Sequence, residues 1–210
     1  MIKPIFPHEP IKGITAENGS FSLIFCILIA VLSIITAVIT AKYAAGRFNA
    51  NRKRTTAVFV SAALTISSGM LLVFGSSMIA VKGILFAFIL AFSSYEDIKT
   101  RECDDHLHLL TAVAAFIGTD ICSVPNMLLS AFFVGGIMIL TMIITKSKLG
   151  GADIKMAAGC AFLLGLERGI LGLLAGMTLA VIVNLIKKNR KHGFPNIPYL
   201  AAGFLAAYFI

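Results

Sequence analysis

The organisation of this chain is set by residues 148–156, which read KLGGADIKM. One carboxylate, Asp153, lies two residues after a double glycine there and immediately precedes an apolar run. Residues 93–101, SSYEDIKTR, end an earlier apolar run and repeat the Asp-Ile-Lys triplet at Asp97. Charged side chains are costly at membrane depth and are usually functional where they occur. We therefore predict that Asp97 and Asp153 meet at one membrane surface and work as a pair.

The composition is that of a membrane protein. Of the 210 residues, 58% are hydrophobic and 13% are charged, with a mean hydropathy of +0.93, whereas soluble domains average about 45–50% apolar and 25% charged residues. The net charge of +8 comes from short basic clusters between apolar runs, a pattern that orients membrane segments. Nucleic acid is therefore not an expected partner. The four cysteines include no Cys-x-x-Cys pair, so they favour neither a zinc site nor a disulfide framework.

The apolar runs predict an all-α membrane bundle with about eight transmembrane segments. Residues 1–20 are expected to form a polar tail and residues 21–210 a single transmembrane domain. A helix needs about 20 residues to cross a hydrocarbon core of about 30 Å, and most of the runs approach that length. The expected spans are Phe21–Ala41, Thr56–Gly75, Met78–Ser94, Leu107–Val124, Met127–Thr145, Ile154–Leu166, Gly169–Ile186 and Pro195–Ile210.

The basic residues predict the orientation of these spans. The loops after the first, third, fifth and seventh spans hold 5, 2, 3 and 4 Lys or Arg residues, if Lys155 at the start of the sixth span is counted with the fifth loop, which is 14 of the 18 in the chain. Because Lys and Arg accumulate in cytoplasmic loops, we expect these four loops to face the cytoplasm from the cell membrane. Asp97 and Asp153 both lie on that side.

Two neighbouring aspartates suit the hydrolysis of an amide bond. One carboxylate activates water while the other protonates the scissile carbonyl, and their mutual repulsion leaves one proton shared by the pair. Gly150 and Gly151 have no Cβ, so they permit close approach of a substrate backbone and unusual dihedral angles. Lys155 lies two residues from Asp153 and would not face it on a helix. We expect Lys155 to anchor the segment.

Two other interpretations of the aspartates stay open at this point. An aspartate beside a lysine at a helix end often serves only as an interfacial anchor or an N-cap. A small transporter would use Asp97 and Asp153 as proton or cation sites. Transporter sites lie near the bilayer midplane, whereas both aspartates map to the ends of spans, which favours hydrolysis.

Residues 103–108, CDDHLH, collect side chains that bind metals. The two histidines would share a face on a strand but not on a helix, and the segment opens a helix. We therefore predict a solvated helix start, with Asp104 or Asp105 as the N-cap, and no metal site. An acidic rim beside the pair that attracts a basic peptide is a further hypothesis. Its members would be Glu96, Glu102, Asp104 and Asp105.

The motifs resemble those of the type IV prepilin peptidases, membrane aspartyl proteases of the Gly-x-Gly-Asp class. Residues 150–156, GGADIKM, are similar to the second aspartate motif of the family, and residues 97–101, DIKTR, are similar to the first. Residues 196–203, NIPYLAAG, resemble the Ile-Pro-rich last span. The resemblance covers roughly residues 56–210.

The resemblance implies a peptidase that cleaves type IV prepilins or pseudopilins at the cytoplasmic face, after the glycine that ends a short basic leader. Prepilins and membrane lipid would be its partners, and it would need no cofactor and no metal. Asp97 and Asp153 would be the catalytic pair. The other motif positions are Gly150, Gly151, Ala152, Lys155 and Lys99. An alternative function is that of a non-catalytic assembly protein of a pilus or secretion system.

The chain departs from the family pattern in three places. Ala152 stands where the second motif usually has a glycine. Residues 102–105, ECDD, replace the Ile-Pro-Asn that usually follows the first motif, so we expect an altered loop there. Long members carry a cytoplasmic domain with paired cysteines, associated with N-methylation, after the first span. Here residues 42–55 form a short loop without cysteine, which predicts a compact protease without methyltransferase activity.

Overall fold

The computed structural model describes residues 19–145, 150–187 and 195–210. The regular elements in these ranges are helices and one 3₁₀ turn, which confirms the all-α prediction. Most of the predicted polar tail and the basic stretches 146–149 and 188–194 lie outside the described residues. The helices are α1 (Gly19–Arg47), α2 (Arg52–Phe74), α3 (Met78–Thr100), α4 (Asp105–Ala115), α5 (Val124–Thr145), α6 (Gly151–Leu164), α7 (Leu166–Lys187) and α8 (Ile197–Tyr208).

Five of the described helices are long and apolar enough to cross a membrane: α1, α2, α3, α5 and α7. The chain is therefore a multi-pass membrane protein, as predicted. The helices α4, α6 and α8 have 11, 14 and 12 residues. At about 1.5 Å per residue, 14 residues reach only about 21 Å. Each of these three helices is therefore shorter than the hydrocarbon core is thick, about 30 Å.

The fourth predicted span, Leu107–Val124, differs most from the structure. Helix α4 ends at Ala115, and Gly118 then takes a positive φ of 61°, a left-handed conformation that glycine adopts without a steric penalty. The Asp120 carboxylate next accepts a hydrogen bond from the Cys122 N–H at 3.3 Å and starts a 3₁₀ turn. Glycine and aspartate thus end the apolar run before it can form a continuous span.

The chain divides into two compact units, which meet in sequence within α3. The first unit comprises residues 7–88, described from Gly19, and in it α1 packs along α2. Asn51 caps α2, because its side-chain oxygen accepts hydrogen bonds from the backbone N–H groups of Lys53 and Arg54. Leucine and isoleucine side chains along α1 are largely exposed, as expected for a helix that faces lipid.

The second unit contains residues 89–210 and is centred on α6. This short helix contacts α4, α5, α7 and α8, and its inner side chains, such as Met156 and Leu163, are fully buried. The Ser130 hydroxyl on α5 donates a 2.7 Å hydrogen bond to the Ala161 carbonyl of α6. The start of α6, which carries the double-glycine motif, is therefore held from several sides.

Helices α7 and α8 pack at backbone distance through glycines. A Cβ added to Gly203 of α8 would lie 2.3 Å from the backbone nitrogen of Gly176 and 2.5 Å from the carbonyl oxygen of Gly172, both on α7. No side chain fits in such a space, so three glycines together determine where α8 lies on α7. This packing fixes the beginning of α8, which enters the site described next.

Candidate active site

Asp97 lies in the last turn of α3 and is only 6% exposed. Its Oδ2 accepts a 3.1 Å hydrogen bond from the backbone N–H of Ile197, the first residue of α8. That N–H has no carbonyl partner within its own helix, since the first donors of a helix lie ahead of its ladder. The Arg101 guanidinium, one turn further along, acts electrostatically on the same carboxylate.

Asp153 lies in the first turn of α6 and is 7% exposed. Its Oδ2 accepts hydrogen bonds from the Gly150 N–H at 3.3 Å and from the Asn196 side-chain nitrogen at 3.2 Å. Burial raises the pKa of the Asp153 carboxyl above its usual value, and these two hydrogen bonds partly offset that rise. The Asp153 side chain therefore caps the start of α6 and also contacts the residue that precedes α8.

The two aspartates converge on consecutive residues, Asn196 and Ile197, at the beginning of α8. The negative charge of Asp153 also acts directly on Asp97. Each aspartate is held through Oδ2, and among the described residues no hydrogen bond reaches Oδ1 of either one. The arrangement thus presents two buried carboxylates, each held through Oδ2 and, within the part of the chain that the structure describes, without a hydrogen bond to Oδ1.

The double glycine provides open space. Gly150 has φ −68° and ψ 143°, an extended conformation open to any residue, so unusual dihedral angles are not what this position requires. A Cβ on Gly151 would find no atom within 4 Å, and one on Gly150 would make only an ordinary contact with Asp153. The surface beside Asp153 is therefore unobstructed by the described residues, which suits the approach of an extended peptide.

The other predicted motif residues surround the pair without sharing one role. Lys155 is exposed and contacts Asp105 of α4, with its Nζ at 2.7 and 2.8 Å from the two carboxylate oxygens. It joins the beginnings of α4 and α6, and its hydrogen bond and its charge lower the pKa of Asp105. Lys99 is exposed, and its ammonium lies 5.8 Å from the centre of the Tyr95 ring. Ala152 is half-buried in the first turn of α6.

The loop between α3 and α4 is ordered by Glu96. This carboxylate is only 1% exposed and accepts a 3.1 Å hydrogen bond from the Asp104 N–H. The sequence suggested that Glu96 belongs to an acidic rim. Its burial excludes it from a solvated rim. Asp104 is the N-cap residue of α4 but makes no side-chain capping bond, and its Oδ2 lies 3.1 Å from His106 Nε2. Arg101 takes a positive φ of 63° at the end of α3.

The remaining polar groups near this loop do not form a metal site among the described residues. Burial raises the pKa of the Cys103 thiol to about 12, so the thiol stays neutral and is a poor nucleophile. His108 is buried on α4, and neither of its ring nitrogens has a hydrogen-bond partner in the described structure. The two carboxylates remain the acidic groups that meet at the beginning of α8.

Comparison with known proteins agrees with this geometry. A family model of the type IV leader peptidases matches residues 84–185. Over these residues the chain is similar to the type IV leader peptidase family. The matched residues include both aspartates and the double glycine, whereas α8 lies beyond them. Searches of curated proteins and of solved structures found no match. The match supports a leader peptidase-like protease. It confirms the family resemblance that the motifs indicated.

Two contacts of the candidate site were not predicted from the sequence. The Asn196 carboxamide and the Ile197 N–H reach aspartates that lie 43 and 100 residues away, and no local pattern reports such separations. The only signal was the Asn-Ile-Pro order. Asparagine followed by proline two residues later is typical of a helix start, which indicates unpaired backbone donors but not the groups that receive them.

Proposed function

We propose that this chain is an aspartyl endopeptidase that removes the leader from type IV prepilin or pseudopilin-like proteins at the cytoplasmic face of the cell membrane. Asp97 and Asp153 are its catalytic pair. The observation that carries the proposal is the convergence of two buried carboxylates on the beginning of α8, each with one oxygen available. No cofactor or metal takes part in the proposed reaction.

The reaction proceeds by direct attack of water. With one proton shared by the pair, the ionised carboxylate takes a proton from water as the water oxygen bonds to the scissile carbonyl carbon, and the protonated carboxyl gives its proton to the carbonyl oxygen. The tetrahedral diol then collapses, the C–N bond breaks, and the leaving amine takes a proton from the pair. The open surface beside Gly151 accommodates the extended backbone that this attack requires.

The positions of the aspartates favour hydrolysis over transport. Asp97 ends α3 and Asp153 begins α6, so both belong to helix ends, whereas coupling-ion sites of transporters lie near the bilayer midplane. Exposed basic residues lie close by in sequence, since Lys99, Arg101 and Lys155 are all exposed. This distribution is typical of the cytoplasmic interface.

Co-expression with a prepilin from the same genome tests the proposal. Wild-type protein should shorten the prepilin, and N-terminal sequencing should place the cut after the leader glycine. Asp97→Asn and Asp153→Asn should each abolish cleavage. Asp120→Asn is the matched control, because Asp120 only accepts a hydrogen bond from Cys122 and asparagine preserves that bond. Normal cleavage by either active-site variant, or no cleavage of any prepilin by wild type, would overturn the proposal.

A further inference from the structure

Helix α8 begins at the carboxylate pair. Asn196 precedes its first turn and donates through its carboxamide to Asp153 of α6, and Ile197 donates its backbone N–H to Asp97 of α3. Two adjacent residues of one helix start thereby contact two helices whose aspartates are 56 residues apart in sequence. The position of α8 is itself fixed, since Gly203 packs against the backbone of α7 with no room for a side chain.

The side chain of Asn196 is not used to cap its own helix. Asparagine is one of the best N-cap residues because its side-chain oxygen usually accepts a hydrogen bond from the second or third N–H of the helix. Here Asn196 makes no such bond. The N–H groups of Tyr199 and Leu200 bond to its backbone carbonyl at 3.1 Å instead, and Pro198 has no N–H to satisfy. The carboxamide is thus fully available to Asp153.

The chemistry of the contact requires a donor at this position. An ionised carboxylate only accepts hydrogen bonds, so Asn196 presents its NH₂ group to Asp153 Oδ2. The Gly150 N–H reaches the same oxygen, and the two donors together fix the rotation of the carboxyl group. Oδ1 stays available, as it does on Asp97.

Building on the proposed function, we propose that Asn196 is a positioning residue for the reaction. Its carboxamide orients Asp153, and the backbone N–H of Ile197 orients Asp97. In this arrangement the second oxygens of the two carboxylates share the proton and bind the water. Catalytic efficiency is sensitive to such placement, because a displacement of about 1 Å costs about 10²-fold in rate. Asn196 itself does not contact the scissile bond in this scheme.

Asn196→Asp separates this role from helix capping. Aspartate has the same shape as asparagine, is an equally good N-cap and complements the positive end of the helix dipole. If Asn196 only capped the helix, the variant would keep both its stability and its activity. A carboxylate, however, cannot donate to Asp153 and repels it. The positioning role therefore predicts a fall in kcat of about 10²-fold at neutral pH with an unchanged KM. In mildly acidic buffer, the new carboxyl is protonated, donates again and recovers part of the activity.

The pH dependence involves a small set of charged groups among the described residues. Asp97 on α3 interacts electrostatically with Asp153 and with Arg101, and Asp105 on α4 is paired with Lys155 of α6. Asn51→Asp is the matched control, because Asn51 caps α2 as an acceptor and aspartate accepts equally well. This control should leave kcat, KM and the pH profile unchanged.

The experiment measures cleavage of a purified prepilin by the full-length enzyme in detergent over a range of pH, together with the melting temperature of each variant. A loss of kcat in Asn196→Asp that exceeds any loss of folded protein, with recovery in acid, supports the proposal. Wild-type kinetics at every pH, or a loss of activity that follows a loss of stability, overturns it.

A second measurement keeps the inference independent of prepilin cleavage. Carbodiimides modify protonated carboxyl groups, so the extent of Asp153 labelling, followed by mass spectrometry, reports its protonation. Asn196→Asp should shift the labelling midpoint of Asp153 to higher pH than in wild type, because a neighbouring carboxylate disfavours ionisation. An unchanged midpoint overturns the placement of Asn196. Inactive wild type with a shifted midpoint would instead overturn the proposed function alone.

Discussion

Both hydrogen bonds to Asp153 end on the same oxygen, Oδ2, and this detail separates stability from catalysis at the residue scale. An asparagine at position 153 would keep an oxygen there and could accept both bonds. It would also remove a group that is costly to ionise in the fold, since burial raises the pKa of Asp153. The proposed catalysis, by contrast, needs the second carboxylate oxygen.

The pH dependence of stability follows from the sign of that pKa shift. The fold favours the protonated form of Asp153, so its ionisation lowers the free energy of unfolding at neutral pH. Below the usual aspartate pKa of 3.8, the side chain is protonated in both folded and unfolded chains and the cost vanishes. Asp153→Asn should therefore melt a few degrees above wild type at neutral pH, since 1 kcal/mol corresponds to about 2–4 °C for a chain of this size.

Thermal melts of the two proteins in the same detergent, at neutral pH and near pH 3.8, check this prediction. The gap in melting temperature should close in acid, and the variant should be inactive throughout. Equal melting temperatures at neutral pH, or a gap that widens in acid, would contradict the destabilising effect of the ionised aspartate. Asp120→Asn provides the reference, because that aspartate is exposed.

At the scale of elements, the contact between α7 and α8 determines where the helix start meets the aspartates. The atoms that a Cβ on Gly203 would meet are backbone atoms of Gly176 and Gly172, and backbone atoms cannot rotate away. Any enlargement therefore has to move α8 along or away from α7. The movement would be transmitted to Asn196 and Ile197, about two turns earlier on the same helix.

Gly203→Ala should lower both stability and activity. Overpacking of this kind costs about 1–3 kcal/mol, and the displaced helix start should reduce cleavage more than the loss of folded protein explains. Gly136→Ala in α5 is the matched control, because a Cβ there meets no atom within 4 Å. Melting temperature and cleavage rate per folded enzyme are the measurements. A Gly203→Ala enzyme with wild-type values for both would show that α8 is not held by this contact.

At the scale of the whole molecule, the sequence was sufficient for the class of fold and for the family. Apolar runs interrupted by basic clusters predict membrane helices from local composition, and the two Asp-Ile-Lys motifs carry the family signature within a few residues each. The break after α4 was missed, because the combined effect of Gly118 and Asp120 is hidden by the apolar residues around it.

The contacts that build the site were beyond the sequence for a different reason. Asn196 with Asp153, Ile197 with Asp97, and Lys155 with Asp105 join positions 43, 100 and 50 residues apart. Such pairs depend on how the helices pack, which no local period encodes. Glu96 was assigned to a solvated surface because it is charged, whereas its partner, the Asp104 N–H, is a backbone group. The catalytic assignment of Asp97 and Asp153 stays a prediction.

The orientation of the molecule in its membrane is also a prediction, and native Cys122 can test it. This thiol is exposed in the turn before α5, which we expect on the outer side, opposite the aspartates. A membrane-impermeant maleimide should label it on intact cells, and Cys122→Ser should abolish that labelling. In the Cys122→Ser background, Glu102→Cys, exposed after α3, should be labelled only in permeabilised cells. The reverse pattern would place the candidate site outside.

Because the start of α8 contacts both aspartates, the proposed mechanism ties the onset of activity to the order of synthesis. Both aspartates leave the ribosome before Asn196 does, and α8 is the last described helix to be made. At about 5–20 residues per second, the 55 residues from Asp153 to Tyr208 take roughly 3–11 s to translate. During that interval a nascent chain carries both carboxylates without their shared support. If the proposed pair is catalytic, proteolytic competence would arrive only when α8 has packed into place.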